Sequence, residues 1–187
     1  MDDARVRELM RSAWAKRRSS FDATPTDCRS LLAAAKQELT EASELSRSTG
    51  GATYAQAIHL LANVEVDLDE PGRARRLWEE AIAILRTTDD VLELAHKLRH
   101  LGDLHHRAER LAAAAACYDE SLLIYREHTG PGSLDFANAV SRAAELQERL
   151  GERAEAARLW RETRDLYASV NLPAGVEQAE RRLQRLR

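Results

Sequence analysis

The segment Leu98-Arg99-His100-Leu101-Gly102-Asp103-Leu104-His105, with Ala114-Ala115-Ala116-Cys117-Tyr118-Asp119-Glu120-Ser121 behind it, has a counterpart on either side of it in the chain. Leu98, Leu101, Gly102, His105, Ala114, Tyr118 and Ser121 correspond to Ile58, Leu61, Ala62, Glu65, Ala74, Trp78 and Ala81 upstream. Downstream they correspond to Val140, Ala143, Ala144, Gln147, Ala156, Trp160 and Thr163. The step is 40 residues and then 42, the same at all seven positions. A fixed period of this size marks a repeat architecture, in which each unit is one supersecondary element.

Each block reads as two helices. In the first half, Ile58/Leu61, Leu98/Leu101 and Val140/Ala143 stand three apart, on one stripe of an α-helix. In the second half, Trp78, Ile82 and Leu85, then Tyr118, Leu122 and Tyr125, then Trp160 and Tyr167 repeat the pattern. The small residue at Ala62, Gly102 or Ala144 lets the partner helix approach, and the ring of Trp78, Tyr118 or Trp160 is predicted to be buried between helices. Gly130-Pro131-Gly132-Ser133 and Asn171-Leu172-Pro173-Ala174-Gly175 separate blocks, and Glu70-Pro71-Gly72 and Leu150-Gly151-Glu152 are turns within them.

A small residue, then Ala, then an aromatic four further on resembles the tetratricopeptide pattern over residues 53 to about 168. Arg86, Arg126 and Ala168 stand where that pattern closes the second helix with Pro, so each second helix is expected to run on by one or two turns. The long step resembles the kinesin-light-chain type of these repeats. The resemblance implies an all-α fold, an α–α superhelix or tetratricopeptide-like solenoid. It would have repeats at 53–90, 91–132 and 133–172, a degenerate helix pair at 1–50 and a capping helix at 174–187, all in a single domain spanning 1–187.

The degenerate pair rests on its own pattern. Leu31, Leu32, Ala35, Leu39, Ala42 and Leu45 form a helical stripe after Thr26-Asp27, read as its capping residues. Shifted by two 40-residue steps, Thr49-Gly50 falls on Thr129-Gly130. Val6, Leu9, Met10, Ala13 and Trp14 supply the apolar side of a first helix, whose other side carries Arg5, Arg7, Arg11, Lys16, Arg17 and Arg18. Such a cationic helix is either a solvated end of the solenoid or a surface for a membrane or partner.

With 28 Lys and Arg against 31 Asp and Glu, the net charge of −3 gives no field that would recruit nucleic acid. The longest apolar runs fall far short of a membrane span, and the opening Met-Asp-Asp lacks a leader-like core, so a cytoplasmic protein is expected. Cys28 and Cys117 fit no metal-ligand spacing and are expected as thiols. No phosphate loop, dinucleotide fingerprint or nucleophile elbow occurs, so neither an enzyme nor a cofactor is expected.

The expected function is a scaffold or adaptor. In the family that the chain resembles, first helices line a concave groove. Subtracting the packing stripe leaves Gln56, His59, Asn63 and Asp67 in the first block. The same rows hold His96, Arg99, Asp103 and Arg107 in the second, and Asn138, Ser141, Glu145 and Arg149 in the third, with Leu60, His100 and Arg142 as one further row. The resemblance places Asn63 at a ligand-clamping position and Arg142 where a basic residue is common, while His59 and His100 replace the Lys and Asn of the carboxylate-clamp subset. His59, Asn63, His96, Arg99, His100, Asp103, Asn138, Arg142 and Glu145 are therefore the expected groove residues for an extended, partly acidic peptide. Two rival readings stand beside this one. The groove could be filled by a terminal helix or a second copy in a homodimer, or the row of His96 and His100 with Asp103 could sense a small ligand or metal, although a fourth metal ligand is missing from the pattern.

Overall fold

The computed structural model describes residues 3–48 and 51–186, and among these residues lie nine helices and no strand. They are α1 (Asp3–Ser20), α2 (Pro25–Arg47), α3 (Gly51–Asp67), α4 (Pro71–Leu85), α5 (Val91–Arg107), α6 (Leu111–His128), α7 (Leu134–Leu150), α8 (Arg153–Ser169) and α9 (Pro173–Arg185). The three expected repeats are the pairs α3/α4, α5/α6 and α7/α8, preceded by the pair α1/α2 and followed by α9. Thr49-Gly50, aligned above with Thr129-Gly130, lies outside the described residues. The chain divides into two units, 1–90 and 91–187.

In the first unit, Val6, Leu9 and Ala13 of α1 are buried, as are Leu32, Ala35, Leu39 and Ala42 of α2 and Ala57, Leu61 and Val64 of α3. Trp14, read as part of that apolar side, instead stands on the surface at 42% exposure. Helix α2 also starts earlier than expected. Thr24, not Thr26-Asp27, is the N-cap: its hydroxyl accepts from the Asp27 amide and donates to the Asp27 carboxylate, and Pro25 supplies a first helical residue with φ already set. At the other end of this unit, α4 stops at Leu85 and does not run past Arg86. Thr87 and Thr88 turn their hydroxyls back onto the carbonyls of Ile84 and Leu85, satisfying acceptors that further helix would have used. In the second unit the helices also stop short of the expected one or two extra turns: α6 ends at His128, two residues past Arg126, and α8 ends at Ser169, one residue past Ala168, ahead of the left-handed turn at Asn171.

The second unit is built round one core. Tyr118, Leu122 and Tyr125 of α6 join Phe136, Val140 and Leu146 of α7 and Leu159, Trp160 and Tyr167 of α8, with Ala179 of α9 closing the far side. Trp78, Tyr118 and Trp160 are all buried to 1% exposure or less, as the repeat register requires. Each also finds a partner for its polar tip, which buried indole and phenol groups need. Trp78 Nε1 donates to His59 Nδ1 at 3.1 Å, Tyr118 donates to Asp103 at 2.7 Å, and Trp160 Nε1 donates to Glu148.

Four helix ends share one stop. Residues Asp69, Glu109, Gly151 and Asn171 have φ of 61°, 56°, 81° and 53°. The next amide in each case bonds back to the carbonyl five residues earlier, as in Arg110 to His105 and Glu152 to Gln147, both at 2.9 Å. This is the left-handed helix stop that favours glycine, and only Gly151 meets it without a Cβ penalty. Glu109→Gly is accordingly expected to raise stability by about 0.5–1 kcal/mol, since the exposed Glu109–Arg149 pair that it removes is worth little. Urea unfolding checks this, and a lower midpoint would contradict it.

Candidate binding surface

Helices α5, α6 and α7 enclose a cavity of about 590 Å³ within the second unit. Asp103, His106, Arg107 and Glu109 line it from α5 and the turn after it, Arg142, Glu145 and Arg149 from α7, and Tyr118 from α6. Three cations thus face three carboxylates, and most are already matched. Arg142 bonds Glu145 at 2.7 Å and lies 3.7 Å from Asp103, and Arg149 pairs with Glu109 at 2.5 Å. Arg107 reaches only the Asp103 carbonyl, at 3.4 Å, and no carboxylate among the described residues lies within ion-pair distance of it. Burial pushes the Tyr118 hydroxyl well above its usual titration range, and the Asp103 carboxylate pushes it further, so Tyr118 stays a donor to Asp103.

The network continues through the packing of the unit. Arg182 of α9 bonds Glu148 at 3.2 Å and Glu145 at 3.5 Å, and its guanidinium sits 5.5 Å from the centre of the Trp160 ring. The charges along α7 therefore do two jobs: they tie α9 down, and they set the polarity of the cavity wall.

Of the residues expected in the groove, Asp103, Arg142 and Glu145 line this one cavity. His96, Arg99 and His100 form a separate cluster on α5. The Nε2 atoms of His96 and His100 stand 3.2 Å apart, and an Arg99 Nη2 lies 2.9 Å from His100 Nε2. Arg99 is only 8% exposed and pairs with Asp103 at 3.2 Å. His96 faces Asp135 at 3.4 Å, and this hydrogen bond holds the Asp135 carboxyl below the usual carboxylate range. Asn138 accepts from the Tyr167 hydroxyl at 2.9 Å.

In the first unit His59 and Asn63, 3% and 7% exposed, bond to one another, and His59 also accepts from Trp78. Because its Nδ1 is the acceptor, the proton of neutral His59 sits on Nε2 and requires the Asn63 oxygen opposite it. Both side chains are thus committed to packing. Arg107, Glu109, Arg149 and His106 were not among the expected site residues. For Arg107 and Arg149 the signal was present, because they occupy the last of the polar rows.

Comparison with known proteins agrees with the helix pairs. Residues 55–88 and 94–135 match the family model of the tetratricopeptide repeat. No curated protein sequence matches the chain. Among solved structures, a Podosopora anserina kinesin light chain with nearly identical TPR-like repeats is similar at a TM-score of 0.72 and 13% identity, over 100% of this chain and 95% of that one. BtubC (BKLC) from P. vanneervenii is similar at 0.65 and 14%, over 98% and 89%. A signal transduction ATPase with numerous domains and a tetratricopeptide repeat sensor, from Pyrococcus horikoshii, is similar at 0.76 and 12%, over 96% of this chain and 27% of that one. Two segments of this chain are thus tetratricopeptide repeats, and the protein has the all-α fold of kinesin-light-chain-like repeat proteins.

Proposed function

We propose that this protein is an adaptor whose second unit binds an extended peptide of mixed charge in the cavity between α5 and α7. Tetratricopeptide repeats serve in general as protein–protein interaction folds and are typically non-enzymatic, and no described helix is long and apolar enough to cross a membrane. The observation that carries the finer reading is the charge arrangement of the cavity. Arg107 has no carboxylate of its own, while the pairs Arg149–Glu109 and Arg142–Glu145 line the same cavity and can exchange partners. A ligand carboxylate is drawn to Arg107, and the neighbouring Glu109 and Glu145 accept donors from the same ligand. The balance of three cations and three carboxylates disfavours a uniformly acidic ligand.

Arg99 is a poor test residue, because it is nearly buried and its truncation takes from Asp103 its nearest cation, leaving only Tyr118 and the more distant Arg142. Arg107→Ala with Arg149→Ala removes two cavity cations whose side chains stand in solvent. Peptides selected on the wild-type protein from a random display library are expected to bind this double variant at least about tenfold more weakly at low salt, with the wild-type affinity itself falling as salt is added. Equal binding by both proteins would place the ligand elsewhere.

A further inference from the structure

We propose that the outer face of α1 docks on an anionic lipid surface. Arg7, Arg11, Trp14, Arg18 and Phe21 follow one another at spacings of four and three, a single stripe along the helix that continues into the turn after Ser20, and all five are exposed. The stripe lies away from Val6, Leu9 and Ala13, which face the core.

Its charges are available. Arg7 pairs with Asp3 at 2.7 Å, but Arg11 and Arg18 have no carboxylate within ion-pair distance among the described residues. Glu8 is engaged by Arg5 at 3.3 Å, which leaves Asp22, exposed beside Phe21, as the acidic side chain nearest the end of the stripe. The aromatics are held in place: the Arg17 guanidinium lies 5.1 Å from the Trp14 ring centre and 5.3 Å from that of Phe21, and Arg17 is itself fixed by Asp67 of α3 at 2.5 Å. Trp14 and Phe21 remain 42% and 63% exposed, so two large rings stand out from the surface, Trp14 between the unpaired cations Arg11 and Arg18 and Phe21 just beyond Arg18.

This chemistry selects its occupant. A convex helix face with projecting rings offers no pocket for a peptide side chain, but rings of this kind settle into the interfacial layer of a bilayer while arginines meet lipid phosphates and carboxylates. Nucleic acid would call for a wider cationic surface than this one stripe supplies in a chain of net charge −3. A second copy of the stripe would set Arg11 and Arg18 against like charges.

The test uses the full chain, sedimented with vesicles of phosphatidylcholine alone or with about one third phosphatidylserine. Binding to the anionic vesicles only, reversed by salt, is expected. A blue shift of tryptophan emission should accompany it, and it would report Trp14, because Trp78 and Trp160 are buried. Arg11→Ala with Arg18→Ala should lower the partition coefficient roughly 30-fold while leaving the rings in place. Trp14→Ala with Phe21→Ala should weaken sedimentation with anionic vesicles, and Phe21→Ala alone, which keeps the Trp14 reporter, should reduce the shift, with circular dichroism confirming the fold. The proposal fails if anionic vesicles do not bind at low salt, or if the arginine variant binds them equally. It fails also if vesicles are ignored while a single-stranded oligonucleotide or an acidic peptide is retained, or if the stripe variants abolish a dimer seen by light scattering in place of vesicle binding.

Discussion

Trp160→Ala is expected to cost about 3–5 kcal/mol of unfolding free energy, the range for removing a large aromatic from a packed core. The ring is wholly buried among α7, α8 and α9, so truncation leaves a cavity that three helices would have to close together. Its loss also undoes a polar arrangement. Trp160 Nε1 donates to Glu148, Glu148 accepts from Arg182, and the Arg182 guanidinium lies against the same indole. Without the ring, Arg182 loses the surface that orients it, and α9 loses a tie to the rest of the unit. Trp160→Phe keeps most of the volume but drops the indole N–H, so it should cost clearly less. Denaturant unfolding followed by far-ultraviolet circular dichroism separates the two variants. A Trp160→Ala loss below about 1 kcal/mol would mean that the site collapses without penalty.

Gly102→Ala is the second large effect, and its sign runs against helix propensity. In a solvated helix this change gains about 1 kcal/mol. Here a Cβ at residue 102 would lie 2.5 Å from Cε1 and 2.7 Å from Cδ1 of Tyr118. Tyr118 cannot yield easily, because its hydroxyl is anchored on Asp103 and its ring is buried. Overpacking of this kind costs about 1–3 kcal/mol, and a net loss is expected. In a Tyr118→Leu background, itself less stable for the lost ring and the lost bond to Asp103, Gly102→Ala should cost less than it does in the wild type, since the obstructing ring is gone. A more stable Gly102→Ala protein would show that the ring can shift freely. The same position holds Ala62 and Ala144 in the other repeats, where a tryptophan replaces the tyrosine, so the demand for glycine comes from the tyrosine ring and not from the helix crossing alone.

The fold was legible because its main determinants are periodic. Apolar residues at spacings of three and four located the helices, and the repeated aromatic located the packing layer; both depend on positions along the chain that a sequence displays directly. Helix ends were less so. Thr24, Thr26 and Asp27 are all good capping residues, and the choice among them came from Pro25 fitting the first turn. The end of α4 was misjudged because Thr87 and Thr88 stop the helix through their side chains, with no proline present.

The candidate site was legible as a face but not as a set of contacts. Periodicity identified the rows containing His59, Arg99 and Arg107 but could not tell which side chains would be used internally. His59 became the acceptor for the Trp78 indole and Arg99 became the partner of Asp103, whereas Arg107, two rows further along, was left at a cavity. Polar residues on one helical face differ in role according to what the next helix offers them, and that information is tertiary.

The recurrent left-handed stop has a genetic consequence. Helices α3, α5 and α7 are each 17 residues long, and each is ended by its own backbone bond at Asp69, Glu109 or Gly151. A segment that carries its own terminator can be duplicated in tandem without resetting the length of its neighbours, and its terminator can drift from glycine to aspartate or glutamate at a cost confined to that copy. Copy number in such a chain can change in single steps, one helix pair at a time, while the sequence inside each copy diverges on its own.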